Sequence, residues 1–403
     1  MEVYLPSIVK IFKNFILMKY IYFFLNIIFF SKKIYSRPKQ KKILIVNGDH
    51  AEVIKKYLKT SETNVVSNRF ARGIEKDAEI YLFILFTTLI KLKFSVKEYV
   101  RQFIKYSKPE VIITLIDNDT FFYELSSDFK GKSIAIQNSY RSTQLDIFAK
   151  IKDLKNRNLK CNYLLTFNKH VGEFYKKFLD SEVVQIGSFR SNSINKNMSK
   201  KNYDILYVSS YKGFDDNEFL IKEHNVTWGD HNIGEEIIFG HLKKFIKKNK
   251  NIRLFVLGCK ITSKVKEQKY WNQKLNGINF TFIPQDKKRN TYKIIDETKV
   301  LISIDSSLGY ESIARGNKIC VFSVRPDKYP TNSSKFGWPF KLKDKGFFWT
   351  NSLEYSEFER VVKNTYLITE EKYFQSKTKD IIPDQIIFDE NNKVFQKIIN
   401  EIS

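Results

Sequence analysis

The chain has 403 residues, room for two domains of ordinary size, and 15% of it is aromatic, which excludes wholesale disorder. The net charge of +25 comes from lysines far more than arginines, and they are scattered, not gathered into a recognition stripe. That pattern argues against nucleic acid as a partner and fits anionic substrates or anionic lipid. The three cysteines stand far apart, and no histidine pair has metal spacing, so reduced thiols, a cytosolic setting and no bound metal are expected.

In chain order, Ile8–Phe30 is very apolar but is interrupted by Lys10, Lys13 and Lys19. Its longest uncharged stretch, Tyr20–Ser31, is short of the roughly 20 residues that span a bilayer. The basic cluster Lys32, Lys33, Arg37, Lys39, Lys41 and Lys42 follows. Residues 1–41 are therefore expected to lie in the interface at the cytoplasmic side of a membrane, as a peripheral anchor.

A first α/β domain is expected over 42–195. Its strands are Lys42–Val46, Val111–Ile116, Ser133–Ile136, Tyr163–Phe167 and Val183–Ile186, and helices lie between them. A polar linker, Ser191–Asn202, leads to a second α/β domain over 203–375. Its strands are Asp204–Ser209, Arg253–Leu257, Phe280–Ile283, Val300–Ile304 and Ile319–Phe322, and a tail with a final helix occupies 376–403. Strands alternating with helices predict two parallel, doubly wound sheets facing one cleft.

Polar residues cluster just after these strands, where open α/β sheets bind ligands. Asp117 and Asp119 have the type of a general base or metal ligand, or of turn and capping residues. Arg141, with Gln137 and Asn138, suits a phosphate or sugar carboxylate. Asp146 and Arg190 stand close behind such turns. Trp228–Glu236 reads as a loop in which Trp228 stacks on a sugar while Asp or Glu, above all Asp230 beside His231, acts as nucleophile or base; the simpler reading is a capped helix start. The turn Asp305–Glu311 offers Ser306, Ser307 and the N–H groups of a helix start to a phosphate, and Glu311 to a ribose or sugar diol. Arg325 follows the last strand, and Phe336–Pro339 is an aromatic loop that either closes over ligand or packs on the surface.

The segments IITLIDND (Ile112–Asp119), IQNSYRSTQLDIF (Ile136–Phe148), IGSFRSN (Ile186–Asn192) and DSSLGYESIARGNK (Asp305–Lys318) resemble bacterial surface-carbohydrate biosynthesis proteins that make O-antigen or capsule. Across Lys42–Tyr373 the layout is similar to GT-B glycosyltransferases, and within them to the retaining β-Kdo transferases that use CMP-Kdo. The resemblance implies two Rossmann-like domains, the first on the acceptor side and the second for the donor. It assigns Ser306, Ser307, Gly309, Tyr310 and Glu311, joined by Arg325, to the nucleotide of a CMP- or UDP-sugar. Asp230, His231 and Asp146 would carry the chemistry, with Asp230 able to form a covalent glycosyl intermediate. Gln137, Asn138, Arg141, Asp117, Asp119, Arg190 and Trp228 would line the substrate wall. No cofactor or metal is implied beyond the co-substrate, and the acceptor would be a glycan or lipid-linked glycan at the membrane. The family's QNG turn has Ser139 in place of its glycine here. The other readings are a nucleotide-sugar 2-epimerase, a polyol-phosphate transferase, and a membrane-bound assembly protein without catalysis.

Overall fold

In the computed structural model the described residues are 31–48, 50–67, 78–91, 95–141, 147–196, 200–222, 225–259, 263–286, 290–325, 335–339, 342–380 and 386–402. Most of the expected N-terminal anchor, and Asp146, lie outside them.

The first sheet has six parallel strands: β1 Ile43–Val46, β2 Thr63–Val66, β3 Val111–Thr114, β4 Lys132–Ile136, β5 Leu159–Thr166 and β6 Leu179–Gln185. Their spatial order is β2-β1-β3-β4-β5-β6. β1 and β3 are buried at every position, as strands covered on both faces must be, which explains their unbroken apolar sequence. The second sheet comprises β7 Tyr203–Val208, β8 Leu254–Leu257, β9 Phe280–Ile283, β10 Thr298–Ser303, β11 Ile319–Phe322 and β12 Trp349–Thr350. It is parallel throughout, in the order β9-β8-β7-β10-β11-β12. The strand order reverses between β1 and β3 in one sheet and between β7 and β10 in the other, and each reversal opens a crevice at the strands' carboxyl ends.

The helices that connect and follow these strands include α1 Leu82–Ile90, α2 Thr120–Ser127, α3 Trp228–Lys248, α4 Ser307–Ala314 and α5 Lys393–Ile402. α5, assigned to the tail by sequence, returns to the first domain. Its Phe395, Ile398 and Ile399 share a core with Ile43, Ile45, Ile113 and Phe189, and the Phe189 and Phe395 rings meet edge to face at 4.9 Å. The linker is held by a buried cation. Arg315, at the end of α4, pairs with Asp296 and donates to the carbonyls of Ser191 (3.0 Å), Ile194 (3.0 Å) and Asn195 (3.2 Å). A buried arginine whose nitrogens meet a carboxylate and three carbonyls fixes the chain between the domains, because moving the linker would strand its charge. Among the described residues no helix is long and apolar enough to cross a membrane.

Candidate functional site

α4 starts where β10 ends, and the junction is built for close approach. Ser306 is the N-cap, accepting the Leu308 N–H at 3.3 Å. Gly309 faces β10 so tightly that a Cβ there would lie 2.8 Å from Ser303 Oγ, so its smallness serves helix–strand packing. The next residues reach the other domain. Ser307 Oγ accepts the Tyr140 N–H at 2.9 Å, and the Tyr310 ring stacks on the Tyr140 ring. Glu311, buried one turn in, accepts from Ser188 Oγ at 2.6 Å and Tyr292 Oη at 3.1 Å. Burial raises the Glu311 pKa above the ordinary carboxylate value, while nearby Arg190 and the two hydroxyls oppose that rise. Arg190 itself donates to the Asn138 carbonyl at 3.1 Å. Thus Ser307, Tyr310, Glu311, Asn138 and Arg190 do meet at one interdomain seam.

A second cluster fills the crevice between β7 and β10. Arg325 follows β11, and its Nε donates to Asp305 at 2.9 Å. One terminal nitrogen donates to the His231 carbonyl at 2.8 Å and lies 3.4 Å from Glu235. Glu235 also accepts from Tyr207 Oη at 2.6 Å and from the Ser210 hydroxyl. The Arg325 and Glu235 side chains are buried, whereas the Asp305 side chain is 42% exposed. Enclosure favours the neutral acid at Asp305, but the Arg325 charge and hydrogen bond outweigh it and hold the carboxyl well below the usual carboxylate range. His231 responds the other way. Burial and then the Arg325 charge push its pKa down to about 3, so the ring is a neutral imidazole at neutral pH.

The expected loop Trp228–Glu236 is instead the first turns of α3. Thr227 caps it, and Asp230 closes a capping box: its carboxylate accepts the Thr227 N–H and hydroxyl, each at 3.0 Å, while its own N–H donates to Thr227 Oγ1 at 3.1 Å. The aspartate expected as nucleophile thus turns an oxygen back to its own helix terminus. Trp228 stacks on Phe214, with centroids 4.6 Å apart. Gly234 lets α3 approach the chain after β11, since a Cβ would lie 2.0 Å from the Val324 carbonyl oxygen. That contact brings His231 and Glu235 up to Arg325.

The first-domain wall differs from expectation in its acids. Asp117 is wholly buried and meets Arg141 through both carboxylate oxygens, with Arg141 Nε at 2.7 Å; Tyr175 Oη donates to the same carboxylate. Arg141 is 3% exposed and also donates to Asn138 Oδ1 at 2.5 Å. This pair is a buried scaffold, not a cleft base and a phosphate clamp. Asp119 is the N-cap of α2, accepting the Phe121 N–H at 3.1 Å. Gln137 is buried and spans the Ser139 carbonyl and the Phe167 N–H, each at 2.8 Å. Ser139 is not among the residues of positive φ, and its hydroxyl accepts from Arg141 at 3.2 Å, so this turn does not need the family's glycine. The aromatic loop packs across domains, with Trp338 5.1 Å from Phe174 and 6.0 Å from Phe148.

Asp305 and Ser188 stand inside the segments singled out by sequence but had no role there, while Glu235 belongs to the stretch whose acids are expected as nucleophile or base and instead pairs with Arg325. Tyr140 adjoins Arg141, and Tyr292 carried no local signal. The open concavity bordered by Lys155, Lys160, Lys176 and Lys177 lies at the amino ends of β5 and β6, the opposite sheet edge from these clusters. Among the described residues, no group of three or more His, Cys, Asp and Glu is placed to hold a metal ion.

A family model described as "putative O-antigen biosynthesis protein" matches residues 134–403. No curated protein matches the chain. Among solved structures, it is similar to UDP-GlcNAc 2-epimerase from Neisseria meningitidis bound to UDP-GlcNAc, with TM-score 0.53 and 12% identity over 89% of this chain and 100% of that one. It is similar to the wall teichoic acid polymerase TagF, with TM-score 0.51 and 13% identity over 98% and 94%. It is also similar to S. aureus MnaA with UDP, with TM-score 0.52 and 14% identity over 90% and 96%. At these identities the likeness is one of fold, and that fold is GT-B: two Rossmann-like domains facing a cleft.

Proposed function

The chain belongs to the family of O-antigen biosynthesis proteins whose model it matches, and from this and the cleft geometry we propose that it is a glycosyltransferase. It moves a sugar from a CMP- or UDP-linked donor to a glycan or lipid-linked glycan at the cytoplasmic face of the membrane. One observation carries the reading. At the strand-order reversal of the second sheet, the exposed Asp305, the start of α4 and the buried Arg325 converge, and the first domain's Tyr140 N–H reaches Ser307 beside them.

The donor phosphate meets the N–H groups at the start of α4, where the helix dipole and the Arg325 charge stabilise an anion and, on bond cleavage, the departing nucleotide. Ser306 and Ser307 flank that position. Glu311, one turn on, receives a ribose diol, exchanging its present hydroxyl partners for those of the ligand. Asp305, ionised and partly open to the cleft, holds Arg325 toward this position together with Glu235 and is placed to accept a hydrogen bond from the acceptor hydroxyl. Asp230 acts first in the capping box of α3.

The test is acceptor-dependent release of CMP or UDP from CMP-Kdo and a set of UDP-sugars. No release with any donor would overturn the reading. NMR of each donor without acceptor separates the 2-epimerase alternative, which the fold likeness to UDP-GlcNAc 2-epimerase keeps in play.

A further inference from the structure

We infer that the first domain carries its own membrane-docking face, formed by α1 and the strand that precedes it in space, and that its occupant is an anionic lipid surface. This rests on the transferase reading, since it explains how the cleft is brought to a lipid-linked acceptor. Strand Ser31–Ile34 pairs in parallel with Ala78–Tyr81, which runs directly into α1. The pairing sets Ile34 beside Tyr81, so Tyr35 and Arg37 run along the first turn of the helix, with Arg37 4.5 Å above the Phe83 ring.

α1 reads LFILFTTLI, more apolar than one buried face requires. Ile84 and Leu85 face the core, yet Phe86 is 66% and Ile90 70% exposed, and Tyr35, next after the paired strand, is 82% exposed. Phe86 and Ile90 follow a helical i, i+4 spacing and so share a side of α1. Large apolar side chains left in water at that spacing mark an interaction surface.

Two observations select the occupant. Arg37, over the Phe83 ring, is exposed beside the patch, Lys39 and Lys91 are exposed in the flanking chain, and the one acid on the adjoining strand, Glu79, is neutralised by Lys32 at 3.0 Å. An apolar centre with a cationic rim matches an anionic bilayer surface. The chain before Ser31 is the apolar, aromatic and lysine-punctuated stretch Ile8–Phe30, and it joins the described structure at this same strand. Two weak membrane signals in one chain add, as two anchors do.

The test uses the full chain and sedimentation with vesicles of phosphatidylcholine alone or mixed with phosphatidylglycerol. The double variant Phe86→Glu/Ile90→Glu alters only exposed positions. It is expected to lower partitioning onto the anionic vesicles by about tenfold or more, with unchanged circular dichroism. Lys39→Gln is expected to reduce the preference for phosphatidylglycerol over phosphatidylcholine. Undiminished binding by the double variant would overturn the inference, as would loss of self-association in light scattering without loss of vesicle binding, which would make the occupant a second copy. Nucleotide release on a detergent-dispersed acceptor is read in parallel. Its absence in the wild-type chain counts against the transferase reading, and its retention in the variant alongside undiminished vesicle binding counts against this surface alone.

Discussion

Tyr140 of the first domain and Tyr310 of the second lie face to face across the cleft, with ring centroids 3.7 Å apart and planes 10° from parallel. The Tyr140 N–H is bound to Ser307, and its hydroxyl donates to the Trp338 carbonyl, so one residue ties three points of the second domain. A stacked aromatic pair is worth about 0.5–1.5 kcal/mol beyond area burial. Tyr140→Ala is therefore expected to shift domain closure toward the open form by roughly two- to tenfold. Small-angle scattering would show a larger radius of gyration, and calorimetry a weaker nucleotide affinity. An unchanged radius would mean that the other seam contacts, such as Ser188 with Glu311, hold the domains by themselves.

Arg141 has a different fate from the one its sequence context suggested. It neutralises Asp117 in a site from which both are shielded. Removing one member of such a pair leaves a buried charge, at about 3–5 kcal/mol. Arg141→Met should therefore lower stability by that amount in urea unfolding. Asp117→Leu/Arg141→Met should recover much of the loss, because no charge then remains to be solvated. A near-neutral single variant would contradict the scaffold role.

The reach of the sequence follows from what each residue needs nearby. β1 and β3 were legible because both faces are covered and every position is apolar. β2 was not, since Thr63 and Asn64 break the run; Asn64 is buried by donating to the Lys39 carbonyl at 2.7 Å, a contact that only the fold supplies. α3 was misread as a loop because Gly229, Asp230, Asn232 and Gly234 are poor helix formers. The capping box and the tight approach to Val324 override that preference. Glu311 was legible as a site residue from its turn, but its partner Ser188 is 123 positions away. Local pattern thus found strand-end turns, and missed how the two domains consume each other's polar groups there.

His231 makes the stability of the second domain acid-sensitive. Its folded pKa, about 3, lies below the unfolded value of 6.5. Between these values the unfolded chain binds the proton that the folded one refuses. The contribution of His231 is full above pH 6.5 and is lost as the pH falls toward 3, at about 1.4 kcal/mol per pH unit. His231→Gln should flatten this part of the profile. Parallel urea unfolding at pH 7 and pH 5 is the measurement. An equal loss in wild type and variant would show that other groups carry the acid sensitivity.

The sharpest division of labour lies between Asp230 and Asp305. Both are acids near the start of a helix, yet Asp230 spends its carboxylate on Thr227, while Asp305 is partly open to the cleft and held ionised by Arg325. Asparagine at 230 keeps a carbonyl oxygen for the Thr227 N–H, so Asp230→Asn should cost no more than about 1 kcal/mol of stability and leave kcat within a few-fold of wild type. Asp305→Asn removes the anion that positions Arg325 and should reduce kcat far more than it changes stability, because Glu235 still pairs the buried guanidinium. A loss of roughly a thousandfold in Asp230→Asn, about 4 kcal/mol of transition-state stabilisation, would instead restore the nucleophile first read from the sequence. It would also require α3 to release its cap when donor binds. Hydrogen exchange at Trp228–His231 with and without nucleotide would detect that release directly.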